Sequence, residues 1–381
     1  VPGTSVALVS NSLPGGKASQ PDHAAAVSFL DLEKMERSLD LRLPPGSTNL
    51  RQITVSPDGR WAYLAHTLGR VHLPTTQLDR GWVNTNALSI IDVPARQILA
   101  TVLLDSPMEG AANPWGLALL DGGKALWVSI SGTQQVARID LAKLHQFIDG
   151  KLPDDHRLAQ KASYSPGTES IWLRIKLDGS QRSELVNDLA SLYAADLIQR
   201  LPIKGNGPRG VDVSPDGKLL AVGAYYSGEV FLMDAASGKV KTSIPLGPPR
   251  DPDPVRLGEM IFHDAAYCFQ HWLSCATCHQ NGRVDGMNWD LLNDGMGNPK
   301  SSRSLLWAHK TPPAMSLGVR ESMEEATKAG FIHIQFHQPE EATLRAVEAY
   351  VAALEVCGLA VTTLPPHEGY PDSTFVEDTA D

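Results

Sequence analysis

One phrase restricts what this chain can fold into more than any other. "ITVSPDGRWAYLAHT" (53–67) returns as "VDVSPDGKLLAVGAY" (211–225), and "LALLDGGKALWVSIS" (117–131) is a weaker copy. Each is an alternating apolar strand, a Pro-Asp-Gly or Asp-Gly-Gly turn, then a second strand. Pro presets φ, and Gly supplies the positive φ that so tight a connection needs. A third strand follows and ends in Asp: "VSFLD" (27–31), "LSIID" (88–92), "VARID" (136–140) and "VFLMD" (230–234). A fourth comes after it, as in "RQILATVLL" and "GKVKTSIPL". The Asp positions 31, 92, 140 and 234 are 61, 48 and 94 residues apart. That is a repeat of roughly 45 residues with insertions, the range of a four-stranded propeller blade. The competing architecture is a β-sandwich with coincidental turns.

These phrases resemble the YVTN-type β-propeller repeat family over most of residues 5–247. The resemblance implies a fold and says little about chemistry, because such propellers serve as scaffolds, binding platforms and enzymes alike. About four blades are recognisable, fewer than is usual in this family, and the first lacks its opening strand. Residues 145–200 form an insertion, partly helical near its end, with room for one degenerate blade. Otherwise upstream sequence or another chain must complete the ring, because an open ring exposes sheet edges and apolar faces.

The Pro-rich linker "LGPPRDPDPVRLGE" (246–259) ends the β pattern and reads as a domain boundary. Beyond it the period turns helical. "VRLGEMIFHDAAYCF" reads as one amphipathic helix, and "EEATLRAVEAYVAALEV" (340–356) sets Leu344, Val347, Val351 and Leu354 on one face. Between them Cys275, Cys278 and His279 stand in C-x-x-C-H spacing. Two thiols three positions apart can each join a vinyl group of a single haem, and the next residue presents its imidazole to the iron. A zinc site would want a second Cys/His pair in knuckle spacing, and a thioredoxin-like dithiol a βαβ context; the sequence offers neither. The expectation is one covalent haem c, with Cys275 and Cys278 as thioethers and His279 as proximal ligand.

The iron's sixth ligand has several candidates: Met287, Met296, His309, Met315, Met323, His333 and His337. In "HKTPPAMSLGVR" the prolines can hold Met315 over the haem face, in a Pro-x-Met arrangement similar to the distal loop of Met-ligated cytochromes c. Met ligation raises the potential and favours electron transfer, whereas any Met can equally fill a core. His309 is the first rival, then His333 and His337. The last two fall in "FIHIQFH", where alternation with apolar residues also fits the exposed side of a short extended piece. An iron left open on that side would permit peroxide chemistry.

The same region resembles the haem domains of di-haem cytochrome c peroxidases, through "IFHDAAYCFQHWLSCATCH", "KSSRSLLWAHKTPPAM" and "ESMEEATKAGF" across 260–331. Two departures matter. There is one C-x-x-C-H, and Ser316-Leu317-Gly318 replaces the family's "HDG". The resemblance therefore implies the haem fold rather than peroxidase activity. Cys268 and Cys357 fall in the first and last helices, which pack together in cytochromes c, so a 268–357 disulfide is expected. The alternative is one buried and one free thiol. "NWDLLNDGMGNP" (288–299) is rich in oxygen ligands and can be read as a Ca²⁺ loop or as a polar loop with Gly turns.

The 381 residues suffice for two or three domains. No run approaches 18 apolar residues, so no transmembrane segment is expected. The opening "VPGTSVALVSNSLPGG" lacks the basic and apolar regions of an intact signal peptide. Haem attachment to c-type cytochromes and persistent disulfides belong outside the cytoplasm, which implies a periplasmic, secreted or cell-surface protein. Residues 1–250 carry 25 Lys+Arg against 24 Asp+Glu, and residues 251–381 carry 8 against 19. That imbalance opposes nucleic-acid binding and suits a basic redox partner near the motif, or is an ordinary solvated surface. The expected organisation is mainly β plus α: a propeller portion (1–247), an α-helical cytochrome c domain (248–360) and an acidic tail (361–381). The leading function is haem electron transfer with the propeller as a binding scaffold. The alternatives are a haem-dependent oxidoreductase or peroxidase-like enzyme, and a surface or assembly protein bearing a haem. No G-x-G-x-x-G, P-loop or serine-nucleophile elbow points to other chemistry.

Overall fold

The repeated phrases become antiparallel sheets laid down in chain order. The computed structural model describes residues 1–73, 76–77, 83–153, 155–160, 170–248, 251–290, 297 and 299–355. Sheet one holds β1 (Val6–Ser10), β2 (Ala26–Asp31) and β3 (Glu36–Arg42). Sheet two holds β4 (Ser47–Thr48), β5 (Ile53–Val55), β6 (Trp61–Gly69), β7 (Asn84–Asp92) and β8 (Gln97–Leu103), with β4 and β5 both paired to β6. Sheet three runs β9 (Pro114–Leu120), β10 (Ala125–Ile130), β11 (Gln135–Asp140) and β12 (Ile198–Pro202). Sheet four runs β13 (Pro208–Val213), β14 (Leu219–Ala224), β15 (Glu229–Asp234) and β16 (Val240–Pro245).

The turn residues act as their chemistry dictates. In both Ser-Pro-Asp-Gly turns the Asp carboxylate accepts the backbone N–H two residues on (Arg60 and Lys218, both 3.1 Å), and the Ser hydroxyl accepts that of the next strand's first residue (Trp61 and Leu219, both 2.9 Å). Gly59 and Gly217 sit at φ +71° and +69°. The Asp that ends each third strand captures the N–H three residues later: Asp31 from Lys34, Asp92 from Ala95, Asp140 from Lys143 and Asp234 from Ser237, at 3.0–3.1 Å. The Ser237 N–H helps hold the Asp234 carboxyl down at about 2.

Alternation along the strands then builds the core on both faces of the inner sheets. On β6, Ala62 and Leu64 face sheet one, whereas Tyr63 and Ala65 join the cluster shared with sheet three. On β10, Leu126, Val128 and Ile130 join that same cluster, whereas Ala125 and Trp127 pack against sheet four. Stacking of successive sheets face to face, as propeller blades stack, follows from this two-sided burial. Each large side chain so buried contributes roughly 1.5–3 kcal/mol.

Among its described residues the insertion is helical. Between β11 and β12 the described residues form α1 (Leu141–Ile148), α2 (Arg157–Gln160), α3 (Ile171–Leu177), a 3₁₀ run (Gly179–Asn187) and α4 (Ser191–Ala194). Phe147, Trp172 and Ile175 extend the cluster between sheets two and three, and the Tyr193 hydroxyl donates to the Leu104 carbonyl at 2.8 Å. Where the sequence left room for a degenerate blade, the described residues form an apolar helical cover, and the chain returns from it as the outer strand of sheet three.

After sheet four the chain turns helical: α5 (Pro254–Phe262), α6 (Cys275–Cys278), α7 (Met323–Ala329) and α8 (Glu341–Ala352), with a small ladder of β17 (Asn288–Trp289) and β18 (Lys300–Ser301). The expected long helix through Cys268 is corrected. It stops at Phe262 because His263 donates from Nδ1 to the Glu259 carbonyl (2.9 Å), while extended Asp264 captures the Ala266 N–H (2.8 Å). A second correction concerns "FIHIQFH", where the chain prolongs α7 as a π-helical turn (Gly330–Ile334) instead of an extended piece. Helices α5 and α8 cross in backbone contact at Gly258, where an added Cβ would lie 1.9 Å from the Ala346 carbonyl oxygen. Phe262 and Tyr350 meet edge to face beside that crossing, ring centres 5.1 Å apart. Among the described residues no helix is long and apolar enough to cross a membrane.

Gly258→Ala should therefore separate α5 from α8 and lower unfolding stability by about 1–3 kcal/mol, the cost typical of overpacking. Chemical denaturation monitored by circular dichroism checks this; an unchanged midpoint would contradict the crossing.

Candidate functional site

The C-x-x-C-H segment lies across one common end of sheets one to three. Gly110 donates to the Gln270 carbonyl (2.8 Å), and a Cβ there would sit 2.5 Å from Trp272 Cα. His23 Nε2 reaches the Gly286 carbonyl (2.8 Å), the Thr48 hydroxyl the Asp285 carbonyl (2.6 Å), and Gln280 the Ser12 hydroxyl.

Two asparagines hold the ends of α6. At its start Ser274 and Thr277 form a capping box, in which the Ser274 N–H donates to Thr277 Oγ1 (3.0 Å). Asn113 closes around both, donating from Nδ2 to Ser274 Oγ (2.8 Å) and accepting from Thr277 Oγ1 at Oδ1 (2.9 Å). At the other end Asn49 Nδ2 donates to the Thr277 carbonyl at 2.7 Å. Asn49 and Asn113 each stand four residues ahead of a repeat phrase (at Ile53 and Leu117), both at positive φ (54° and 57°). Behind Asn113 stands Asn86, whose Oδ1 accepts the Asn113 N–H (3.2 Å) and whose own amides donate to fully buried Asp105 (2.6 and 2.9 Å). Burial pushes the Asp105 carboxyl up to about 6 against those bonds.

This frame turns one face of the motif outward. Trp272, Leu273, Ser274, Ala276, Thr277 and Gln280 are buried, whereas Cys275, Cys278 and His279, at i, i+3 and i+4, are half-buried. Gln335 Nε2 is 3.6 Å from Cys275 Sγ and Asn84 Nδ2 is 3.9 Å from Cys278 Sγ. His279 donates from Nδ1 to the Arg303 carbonyl (3.0 Å), with the Arg283 carbonyl at 3.3 Å, so Nε2 carries the free lone pair. Burial lowers its basicity and keeps it neutral. Burial also pushes the Cys275 thiol up to about 12 and raises Cys278, the reverse of an activated redox dithiol. Among the described residues no group of three or more His, Cys, Asp or Glu side chains is arranged to hold a metal ion. Two cysteines and one oriented imidazole on a single open face fit a covalent haem.

The other sequence candidates separate by environment. Met287 and Met323 are buried core fillers, beside Trp289 and Phe331 respectively. His333 is exposed, and His337 packs edge-on to Tyr267 with ring centres 5.5 Å apart. Met315 is half-buried at φ 67°, in the loop after Pro313. His309 places Nε2 3.3 Å from the Glu355 carboxylate, and its Nδ1 is buried without a partner. Cys268 is buried against Trp272, Met287 and Trp289. Its expected partner Cys357, Met296, most of the 288–299 loop and the acidic tail lie outside the described residues. Asn49, Asn84, Asn86, Asn113, Asp105 and the Arg303 carbonyl were not anticipated. Only the recurrence of Asn ahead of the first strand could have signalled the two clamps.

The chain is 28% identical over 211 residues to hydrazine synthase subunit beta of Kuenenia stuttgartiensis, taking in 55% of this chain and 47% of that relative. It is 30% identical over 117 residues to hydrazine synthase subunit gamma of the same organism, 27% of this chain and 33% of that relative. The chain thus matches about half the length of one relative and a third of the other. No family model matches it. Among solved structures, Kuenenia stuttgartiensis hydrazine synthase superposes at TM-score 0.47 with 24% identity, over 62% of this chain and 57% of that one. Dihydro-heme d1 dehydrogenase NirN in complex with DHE superposes at 0.35 with 14% identity, over 63% and 38%.

Because its folded-state pKa lies above the ordinary 3.8, Asp105 makes the native state bind a proton more tightly than the unfolded state does. Its contribution is complete below about pH 4 and is lost as pH rises through about 6, by roughly 2–3 kcal/mol. Buried Asp285, also raised to about 6, adds a slope of the same sign. Stability curves measured between pH 4 and 7 should show a shallower fall for Asp105→Asn than for the parent; identical slopes would contradict this.

Proposed function

We propose that the chain is an electron-transfer haem protein of an extracytoplasmic oxidoreductase assembly, carrying one haem c on Cys275 and Cys278 with His279 as proximal ligand. The observation that carries this reading is the His279 ring. A backbone carbonyl fixes Nδ1 and frees Nε2 on the face shared by the two thiols, the orientation in which metal-ligating histidines are usually held. The haem, when bound, supplies a one-electron Fe(II)/Fe(III) couple. The protein's part is to anchor both thiols and keep the imidazole neutral and aligned. It also closes one side of the site with the apolar cluster of Phe262, Phe331, Val347 and Val351, against which Cys275 packs.

In this reading residues 1–247 form a YVTN-like propeller portion that seats and docks, residues 248–360 the cytochrome c unit, and residues 361–381 an acidic tail. The similarity to two hydrazine synthase subunits supports a place in a multi-subunit redox complex. The acidic C-terminal portion suits a basic redox partner.

Met315 is the proposed sixth ligand, from the loop beginning at His309. A second reading has a specific basis: His309 pairs through Nε2 with Glu355, and its buried, partnerless Nδ1 carries a lone pair that iron would satisfy. Optical spectra of the matured protein separate the two. Methionine ligation predicts the weak ferric Fe–S charge-transfer band, lost in Met315→Ala together with a lower potential, and both features kept in His309→Ala. The reverse pattern would assign His309, and a high-spin ferric spectrum with peroxide turnover would replace the carrier with an enzyme.

A further inference from the structure

A ladder of stacked cations and rings runs from the sheets onto α5. Arg51, Trp115 and Arg209 each stand two residues ahead of a repeat phrase, so three successive repeats bring them together. The Arg51 guanidinium lies 3.9 Å from the Trp115 ring centre, and that of Arg209 lies 4.3 Å from the same ring. Arg209 is also 4.2 Å from Tyr225 and 5.0 Å from Tyr226. Arg256 of α5 stacks on those two tyrosines at 4.6 and 4.8 Å.

The charge in this ladder is unbalanced. Arg256 is paired with Glu259 at 2.5 Å. Among the described residues neither Arg51 nor Arg209 makes an ion pair. Arg209 donates to the Tyr226 hydroxyl at 2.8 Å, yet its Nε is buried with no partner. Aromatic faces attract a cation but offer no strong acceptor for its N–H groups. Among the described residues no carboxylate balances the two guanidiniums, and nothing accepts from the Arg209 Nε–H. His263, at the end of α5, packs against Tyr226 and Tyr350, with ring centres 5.7 and 6.4 Å away. Burial first, then the charges of Arg209, Arg51 and Arg256, hold it down at about 4. Tyr350 and Cys275 pack against the same apolar cluster.

We propose that this cluster of Arg51, Arg209, Tyr226 and His263 binds a compact anion with two coplanar oxygens, of the carboxylate type. A guanidinium stacked on a ring keeps its N–H fork in its own plane, and that fork matches two coplanar oxygens better than a tetrahedral anion. The inference is independent of the haem assignment, since none of these residues belongs to the motif.

Isothermal titration of the full chain with acetate, formate and phosphate, at constant ionic strength in chloride, tests it. Acetate or formate should bind saturably at one site, ahead of phosphate. Arg51→Gln and Arg209→Gln should weaken binding on the order of tenfold or more. Arg51→Lys, which keeps the charge without the fork, should also weaken it and serves if Arg209→Gln does not fold. Arg182→Gln, in a separate cleft beside Arg42 and Thr101, should bind as the parent does. Absence of saturable binding, preference for phosphate, or unchanged affinity in Arg51→Gln would overturn the proposal.

Discussion

Asn49 and Asn113 grip the two ends of a helix only four residues long, and the placement of both thiols and of His279 depends on that grip. Nucleating a single helical turn costs about 4 kcal/mol, since the nucleation constant is near 10⁻³. One hydrogen bond returns a net of roughly 1 kcal/mol, so no single contact fixes the turn. The Ser274–Thr277 box, the two Asn113 bonds and the Asn49 bond together reach the required size. Behind Asn113, Asn86 accepts its N–H and is itself tied to Asp105. The sheets therefore act as a rigid jig for a segment that could not shape itself.

The jig owes its precision to repetition. Each repeat ends its third strand with an Asp that seizes a backbone N–H, and exposed pairs such as Asp31 with Lys34 add little beside that capture. Because the turns are alike, the residues ahead of each first strand fall at one end of the stack. Asn49 and Asn113 there meet α6, and Arg51, Trp115 and Arg209, two positions further along, meet one another. A polar clamp and a cationic ladder thus arise from the same register.

Much of this was legible in the sequence because its causes are local. The Ser-Pro-Asp-Gly turns, the Asp-terminated strands and the two-sided alternation of β6 and β10 each follow from a few adjacent residues. The C-x-x-C-H spacing likewise named the three residues that share an open face. What escaped depended on distant partners. Asn113 bonds a residue 161 positions away and Asn49 one 228 away, so nothing near either Asn announced its role. The helix expected to run through Cys268 ended early because His263 and Asp264 satisfied backbone groups that helical propensity would have left to further turns. "FIHIQFH" misled through its alternation, since Phe331 and Gln335 are buried one π-helical turn apart.

Stacked sheets hold the C-x-x-C-H segment with its two thiols and imidazole on one open face, and the proposed haem would attach there. The most direct measurement is the intact mass of the protein after maturation by a c-type cytochrome assembly system, taken under denaturing and reducing conditions with thiol alkylation. The expected mass is that of the chain plus one haem, with Cys275 and Cys278 closed to alkylation and the added mass lost only when both are replaced by Ser. A chain of unmodified mass with both motif thiols alkylated would contradict it.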